Sequence, residues 1–256
     1  MKKNKLSAVL ITKNEEKNIE SCLASLSFCD EVVVVDDASS DRTALLAEKY
    51  GARVYKRELK GDFAAQKNFG MEKTVGDWIL FVDGDERVSV DLKNNIIRAV
   101  ETDGDIFAYY IKRRDFWWER ELRFGETKKV RNRGLVRLVK KKAGVWHGKV
   151  HEELACRNKV GFLDGFLDHY PHPTLSEFIR EINNYSSIRA NELKKEGVGT
   201  NIVQIVLWPA AKFILNYFVY LGFLDGPAGF AYAFLMSFHS FLVRAKLYQL
   251  SFENAG

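Results

Sequence analysis

The most restrictive feature of this sequence is an ordered alternation, over roughly the first 111 residues, of short β-branched apolar runs with stretches spaced like helices. Leu6-Ser7-Ala8-Val9-Leu10-Ile11-Thr12 and Glu31-Val32-Val33-Val34-Val35-Asp36 are continuous apolar runs, and Ala52-Arg53-Val54-Tyr55 and Trp78-Ile79-Leu80-Phe81-Val82 repeat the signal. That is the pattern of strands covered on both faces in a parallel sheet. Between them, Ile19, Leu23 and Leu26, then residues 44–49, then residues 63–71, recur at helical spacing. Strand, helix, strand, helix predicts an α/β sheet with right-handed crossovers. At 256 residues the chain can bury a full-sized core without disulfides or zinc.

In such a sheet the ligand sits beyond the carboxyl ends of the strands. Three of these ends are acidic: Thr12-Lys13-Asn14-Glu15-Glu16, Asp36-Asp37-Ala38-Ser39-Ser40-Asp41 and Asp83-Gly84-Asp85-Glu86. Asp83 and Asp85, one residue apart after a strand, can reach one hard cation that keeps open positions for phosphate oxygens. Gly84 permits a tight approach. After the second strand, Ser39, Ser40 or Asp41 can cap the next helix, while Asp36 or Asp37 accepts a hydrogen bond from a nucleobase. Neither Gly-x-Gly-x-x-Gly nor a Walker loop follows these strands, which disfavours dinucleotide binding and phosphate-loop chemistry. A sugar nucleotidyltransferase is the competing enzyme class, but its glycine-rich basic loop near the amino terminus is missing. A non-catalytic membrane-associated module also competes, although it would have no need of Asp83 and Asp85.

A net charge of +5 is too mild to argue for nucleic-acid binding. The cysteines Cys22, Cys29 and Cys156 are odd in number and lack paired spacing, as suits a reducing cytoplasm. The apolar run after Met1 is too short for a secretory signal. Residues 112–149 are rich in arginine and lysine around Phe116, Trp117 and Trp118. They read as a solvated face or, more sharply, as a contact for an anionic acceptor or lipid headgroups. Residues 176–196 read as a polar amphipathic helix. The apolar runs 202–224 and 227–243 follow, broken by Pro209, Lys212 and His239 and joined by a turn over 222–229. They fall just short of a membrane span. Their aromatics suit a helical hairpin in a membrane interface, with a buried cap or a contact between copies of the chain as alternatives.

Four motifs, in order, resemble those of glycosyltransferase family 2: Val9-Leu10-Ile11-Thr12-Lys13-Asn14-Glu15, Val34 to Thr43 with Asp36-Asp37-Ala38-Ser39-Ser40-Asp41, Ala64-Ala65-Gln66-Lys67-Asn68-Phe69-Gly70, and Gly76 to Glu86 with Asp83-Gly84-Asp85. Within it, Trp146-His147-Gly148-Lys149-Val150-His151-Glu152 and Gly222-Phe223-Leu224-Asp225-Gly226-Pro227-Ala228-Gly229-Phe230 are similar to bacterial lipopolysaccharide-core β-1,4-glucosyltransferases. The resemblance implies a GT-A fold, with a mostly parallel sheet flanked by helices and a C-terminal helical extension at the membrane. It divides the chain into a catalytic domain, 1–175 (nucleotide half to about 111, acceptor half from 112), and C-terminal helices, 176–256.

It further implies an inverting transfer of a hexose from a UDP-linked sugar to a lipid-linked or lipopolysaccharide acceptor at the inner face of the membrane. Thr12, Asn14, Glu15, Asp36 and Asp83 would line the nucleotide-sugar pocket, with Lys67 at the diphosphate. Asp85 would ligate Mg²⁺ or Mn²⁺, with Asp83 and His151 as further candidates. Glu152 is the candidate base, in a cluster with His147, His151 and Glu153. His169 and His172 read as turn residues.

Overall fold

The chain is described by a computed structural model over residues 4–102, 104–149, 152–171 and 174–252. It divides into two compact units, Met1–Arg114 with Val130–Tyr170, and Asp115–Lys129 with Pro171–Gly256. The chain begins β1 (Leu6–Thr12), α1 (Ile19–Ser25), β2 (Glu31–Asp36), α2 (Thr43–Lys49), β3 (Arg53–Lys56), α3 (Phe63–Lys73), β4 (Trp78–Asp83), β5 (Glu86–Val88) and α4 (Val90–Glu101). Then come β6 (Ile106–Trp117), β7 (Arg120–Leu122), α5 (Thr127–Arg133), β8 (Leu135–Lys140), β9 (Gly144–His147), β10 (Glu153–Cys156) and β11 (Lys159–His169).

The main sheet runs β3-β2-β1-β4-β8-β6-β11-β5. β1, β2, β3 and β4 pair in parallel, as the continuous apolar runs of β1, β2 and β4 predict; β3 lies at the sheet edge with Arg53 and Lys56 exposed. β8 joins β4 antiparallel, and β11 joins β5 in the same sense. The continuity of those three runs has a direct cause, because both faces of the sheet are covered. Ala8, Leu10, Val34, Leu80 and Val82 pack with Ile19 and Leu23 of α1 and Leu92 and Ile96 of α4. Val9, Val33, Val35, Ile79 and Phe81 pack on the opposite face with Ala64 of α3 and Trp146 of β9.

The second unit differs from the division expected at residue 175, because Asp115–Lys129 groups with the C-terminal helices. Apolar packing draws it there: Trp117 and Leu122 are buried with Phe178, Ile182, Ala228 and Leu235. Its helices are α6 (Leu175–Lys195), α7 (Ile202–Ile214) and α8 (Gly226–Phe252), with a π-helical turn at Leu215–Val219 and a 3₁₀ turn at Gly222–Asp225. Thr174 caps α6: its hydroxyl accepts the Glu177 N–H and donates to the Glu177 carboxylate. The Gly222-to-Phe230 motif is structural here. Asp225 accepts the backbone N–H groups of Arg123 and Phe124 at 3.0 Å each, and a Cβ on Gly229 would strike the Gly222 carbonyl oxygen. The apolar runs exceed the expected span. Ile202–Val219 and Gly222–Phe252 are long and apolar enough to cross a membrane by length and composition.

Candidate functional site

Strand register brings the acidic loops together before any side chain is considered. Thr12 at the end of β1 is level with Asp36 of β2, and Ile11 is level with Asp83 of β4. The loops after β1 and β2 are then stapled by local polar contacts. The Asn14 N–H donates to Ser39 Oγ at 2.9 Å, and Asn14 Oδ1 accepts the Ser40 N–H at 2.8 Å. The Glu15 N–H donates to Thr43 Oγ1, and Asp41 accepts the Thr43 and Glu16 N–H groups. The N-cap position of α2 falls at Arg42 rather than at Ser39, Ser40 or Asp41, while Asp41 ties the first loop to the start of the helix. Asp36 is buried and accepts the Ser39 N–H at 3.0 Å, which leaves carboxylate lone pairs for a further donor. Thr12 Oγ1 is buried with no hydrogen-bond partner among the described residues. A buried hydroxyl in that state is suited to a ligand.

Gly84 seats the third loop against the first. A Cβ built there would lie 2.8 Å from Glu15 Cγ and 3.0 Å from Thr12 Cγ2. Gly84→Ala is therefore expected to cost about 1–3 kcal/mol by overpacking, with weaker nucleotide-sugar binding. Urea denaturation measures the first effect; wild-type stability would mean that the loops part freely.

Two ion-pair clusters surround Asp83-Gly84-Asp85-Glu86, and neither was anticipated. Arg137 of β8 donates to Asp83 Oδ2 at 2.6 Å and to Glu86 Oε1 at 2.9 Å. Its side chain is 4% exposed, that of Glu86 is fully buried, and that of Asp83 is 39% exposed. Burial pushes the Asp83 carboxyl up, but Arg137 outweighs it and holds the group well below the usual carboxylate range. At Glu86 burial wins, and its carboxyl is raised despite Arg137. Glu86 Oε2 also accepts the Asp83 N–H at 3.0 Å, so Glu86 braces the loop.

His169 corrects an expectation: it is the last residue of β11, level with Glu86, rather than part of a turn. Its Nε2 lies 3.1 Å from Asp85 Oδ2. Burial raises the Asp85 carboxyl, and the adjacent His169 more than reverses this. An imidazole and a carboxylate are both ligands for a divalent ion, and the pair is mostly buried. Among the described residues no group of three His, Cys, Asp or Glu side chains forms a metal cage. Two protein ligands with the remaining positions left to phosphate oxygens fit a metal bound together with a nucleotide diphosphate. His151 and His172 lie outside the described residues.

Lys67 and Glu152, which were given separate roles, are brought together. Lys67 Nζ donates to Glu152 Oε1 at 2.6 Å and sits 4.2 Å from the centre of the Trp146 ring. Burial pulls the ammonium down, the Arg137 charge adds to that, and Glu152 opposes both. Lys67 and Arg113 in turn help to lower the Asp83 carboxyl, so the two clusters form one electrostatic unit. His147 is level with Glu153 in the β9–β10 hairpin, next to Glu152 in sequence.

Arg137 and His169 had sequence signals that a motif search passes over. Arg137 is a charge inside the apolar strand Leu135-Val136-Arg137-Leu138-Val139, where an ion must find a partner. His169 follows the repeated Gly-Phe-Leu-Asp of residues 161–168 at a strand end.

Residues 7–150 match the family model for Glycosyl transferase family 2. The chain is 30% identical over 253 residues to the lipopolysaccharide core biosynthesis glycosyltransferase LpsC of Rhizobium meliloti, covering 95% of this chain and 92% of that protein. It is also 30% identical over 259 residues to an uncharacterized glycosyltransferase of Rickettsia bellii, covering 97% and 88%. Among solved structures, glucosyl-3-phosphoglycerate synthase from Mycobacterium tuberculosis in complex with Mn²⁺, uridine diphosphate and glucosyl-3-phosphoglycerate is 25% identical over 44% of each chain, with a TM-score of 0.38. A likeness of that extent bears no weight on the site. The family model spans more than half of the sequence, and the chain belongs to glycosyltransferase family 2.

Proposed function

We propose that this glycosyltransferase is inverting and metal-dependent, and moves a hexose from a UDP-linked sugar to a lipid-linked or lipopolysaccharide-core acceptor at the cytoplasmic face of a membrane. The observation that carries this is the convergence of Asp83, Asp85, His169, Lys67 and Glu152 beyond the strand ends, where a nucleotide sugar binds in such a sheet. The similarity to a lipopolysaccharide core biosynthesis glycosyltransferase over 95% of the chain supports the acceptor class.

Thr12, Asp36 and the stapled first and second loops hold the nucleoside, with Asn14 and Glu15 setting the shape of the loop. Asp85 and His169 are the residues that would hold Mg²⁺ or Mn²⁺. Bound there, the ion supplies positive charge for the departing diphosphate. Asp83, kept ionised and aimed by Arg137, faces the ribose and donor sugar. Glu152 takes the proton from the acceptor hydroxyl as that oxygen bonds the anomeric carbon. The bond from that carbon to the diphosphate breaks on the opposite side, so a single displacement inverts the centre.

A thermal-shift screen of nucleotide sugars, with and without Mn²⁺, tests the donor and the metal together, because a ligand selective for the folded state raises its melting point. Stabilisation by UDP-sugars that needs the metal is expected. No metal-dependent shift with any nucleotide sugar would sink the reading.

The membrane claim rests on the second unit alone. Ile202, Val203, Val206 and Leu207 recur on one side of α7 and are all more than half exposed, as are Phe218 and Val219 just beyond it. A contiguous apolar patch of this kind marks an interface. Aromatic and basic neighbours, with Arg244 over the Trp208 ring at 5.0 Å, suit the bilayer boundary. Burying each aliphatic side chain is worth about 1.5–3 kcal/mol. Val206→Asp with Leu207→Asp is thus expected to lower partition onto anionic vesicles by roughly 100-fold or more. Unchanged flotation of the double variant would remove α7 as the docking element.

A further inference from the structure

The third motif, Ala64-Ala65-Gln66-Lys67-Asn68-Phe69-Gly70, lies on α3, and Gln66, Lys67, Asn68 and Gly70 each meet another part of the chain. Gly70 lets the helix sit directly on the sheet, since a Cβ there would lie 2.4 Å from Val9 Cγ1 and 3.1 Å from Val35 Cγ2. Gln66 is buried and exchanges hydrogen bonds with Arg57, donating to its carbonyl at 2.6 Å and accepting from its guanidinium. These contacts fix α3 to β1, β2 and the chain beyond β3.

The same helix then meets the segment 146–152 at three points. The Phe63 N–H donates to the Lys149 carbonyl at 2.9 Å. Asn68 makes a reciprocal pair with the Trp146 backbone, donating Nδ2 to its carbonyl and accepting its N–H, each at 2.9 Å. Lys67 donates to Glu152. The Lys67 side chain is 6% exposed and that of Glu152 is 21% exposed, so this pair is shielded far more than a surface salt bridge. Trp146 is itself locked edge-on against Phe81 of β4 at 5.2 Å, and its ring underlies the Lys67 ammonium.

We infer that Lys67 and Asn68 are positioning residues: from a helix anchored on the nucleotide-binding strands, they set the place and orientation of the Glu152 carboxylate. The inference rests on Glu152 as the base. It assigns Lys67 to the acceptor-side chemistry rather than to the donor diphosphate, because its ammonium is engaged by the carboxylate. A base held directly by Lys67, on a chain segment that Asn68 pins at Trp146, loses catalytic geometry when either contact is cut, and a displacement of about 1 Å can cost on the order of 100-fold in rate.

The test uses the full chain, with UDP and Mn²⁺ binding read by calorimetry. Transfer is read as incorporation of label from UDP-[¹⁴C]glucose into membranes of a strain deleted for this gene. Lys67→Met and Asn68→Ala are expected to lower kcat roughly 10- to 100-fold, with UDP affinity within about threefold of wild type, which also shows that the nucleotide site is folded. Lys67→Arg should recover most of the loss. Adding Lys67→Met to Glu152→Gln should cost less than about threefold more, since residues acting as one unit are not additive. A tenfold or larger loss of UDP affinity in Lys67→Met with kcat retained would overturn the inference and return Lys67 to the diphosphate. Wild-type kcat in both single variants would overturn it even if Glu152→Gln is inactive. Full incorporation by Glu152→Gln would instead remove the base reading itself.

Discussion

Asp85→Ala is expected to reduce sugar transfer by about 10³-fold and to abolish the metal dependence of nucleotide-sugar binding. A metal that neutralises a leaving diphosphate is worth several kcal/mol in the transition state, and each 1.36 kcal/mol is about tenfold in rate. Asp85 and His169 form a pair of candidate ligands, and among the described residues no group of three or more His, Cys, Asp or Glu side chains forms a metal cage, so little remains to hold the ion once Asp85 is gone. Wild-type enzyme treated with a chelator should fall to the level of the variant, and the variant should lose nothing further on chelation. Both are read from initial rates at saturating donor, with Mn²⁺ or with chelator. A variant that still transfers sugar in a Mn²⁺-dependent way would show that the ion is held elsewhere.

Arg137→Met is expected to have the largest effect on stability, about 3–5 kcal/mol, the usual result of removing one partner from a buried ion pair. Its guanidinium serves two carboxylates at once, and one of them, Glu86, has no exposure to water. The loss is dominated by Glu86, which is shut off from water and would keep only the more distant Arg113 guanidinium at 3.8 Å, whereas Asp83 retains access to solvent. Arg137→Lys should recover only part of it, since an ammonium lacks the planar fork that reaches both acceptors. The measurement is urea denaturation followed by tryptophan fluorescence. A cost below about 1 kcal/mol would place the cluster with ordinary surface pairs. The same substitution should weaken donor binding, because Asp83 and the loop braced by Glu86 would lose their common anchor.

The contrast between these two residues shows what a sequence exposes. Asp85 belongs to a local pattern, an apolar strand followed at once by Asp-Gly-Asp, which marks it without reference to any distant residue. Arg137 belongs to a basic stretch that reads as solvated. Only its position within an apolar strand hints that it faces inward, and nothing nearby in sequence names its partners, 54 and 51 residues away. His169 escapes a reading of the sequence for the same reason. A histidine beside prolines reads as a turn until β11 pairs with β5 and carries it to Asp85.

The periodic apolar runs were enough to establish the parallel strands β1 to β4, the helices between them and the acidic loops at their ends, because burial on two faces leaves a mark on every residue of a strand. The helical nature of the C-terminal third was equally plain. The tertiary structure alone decided the pairing of Lys67 with Glu152 across 85 residues, the capture of Asp83 and Glu86 by Arg137, and the grouping of residues 115–129 with the C-terminal helices. Those outcomes depend on which strands become neighbours and on which charges burial forces together, and such long-range choices leave no period in the chain.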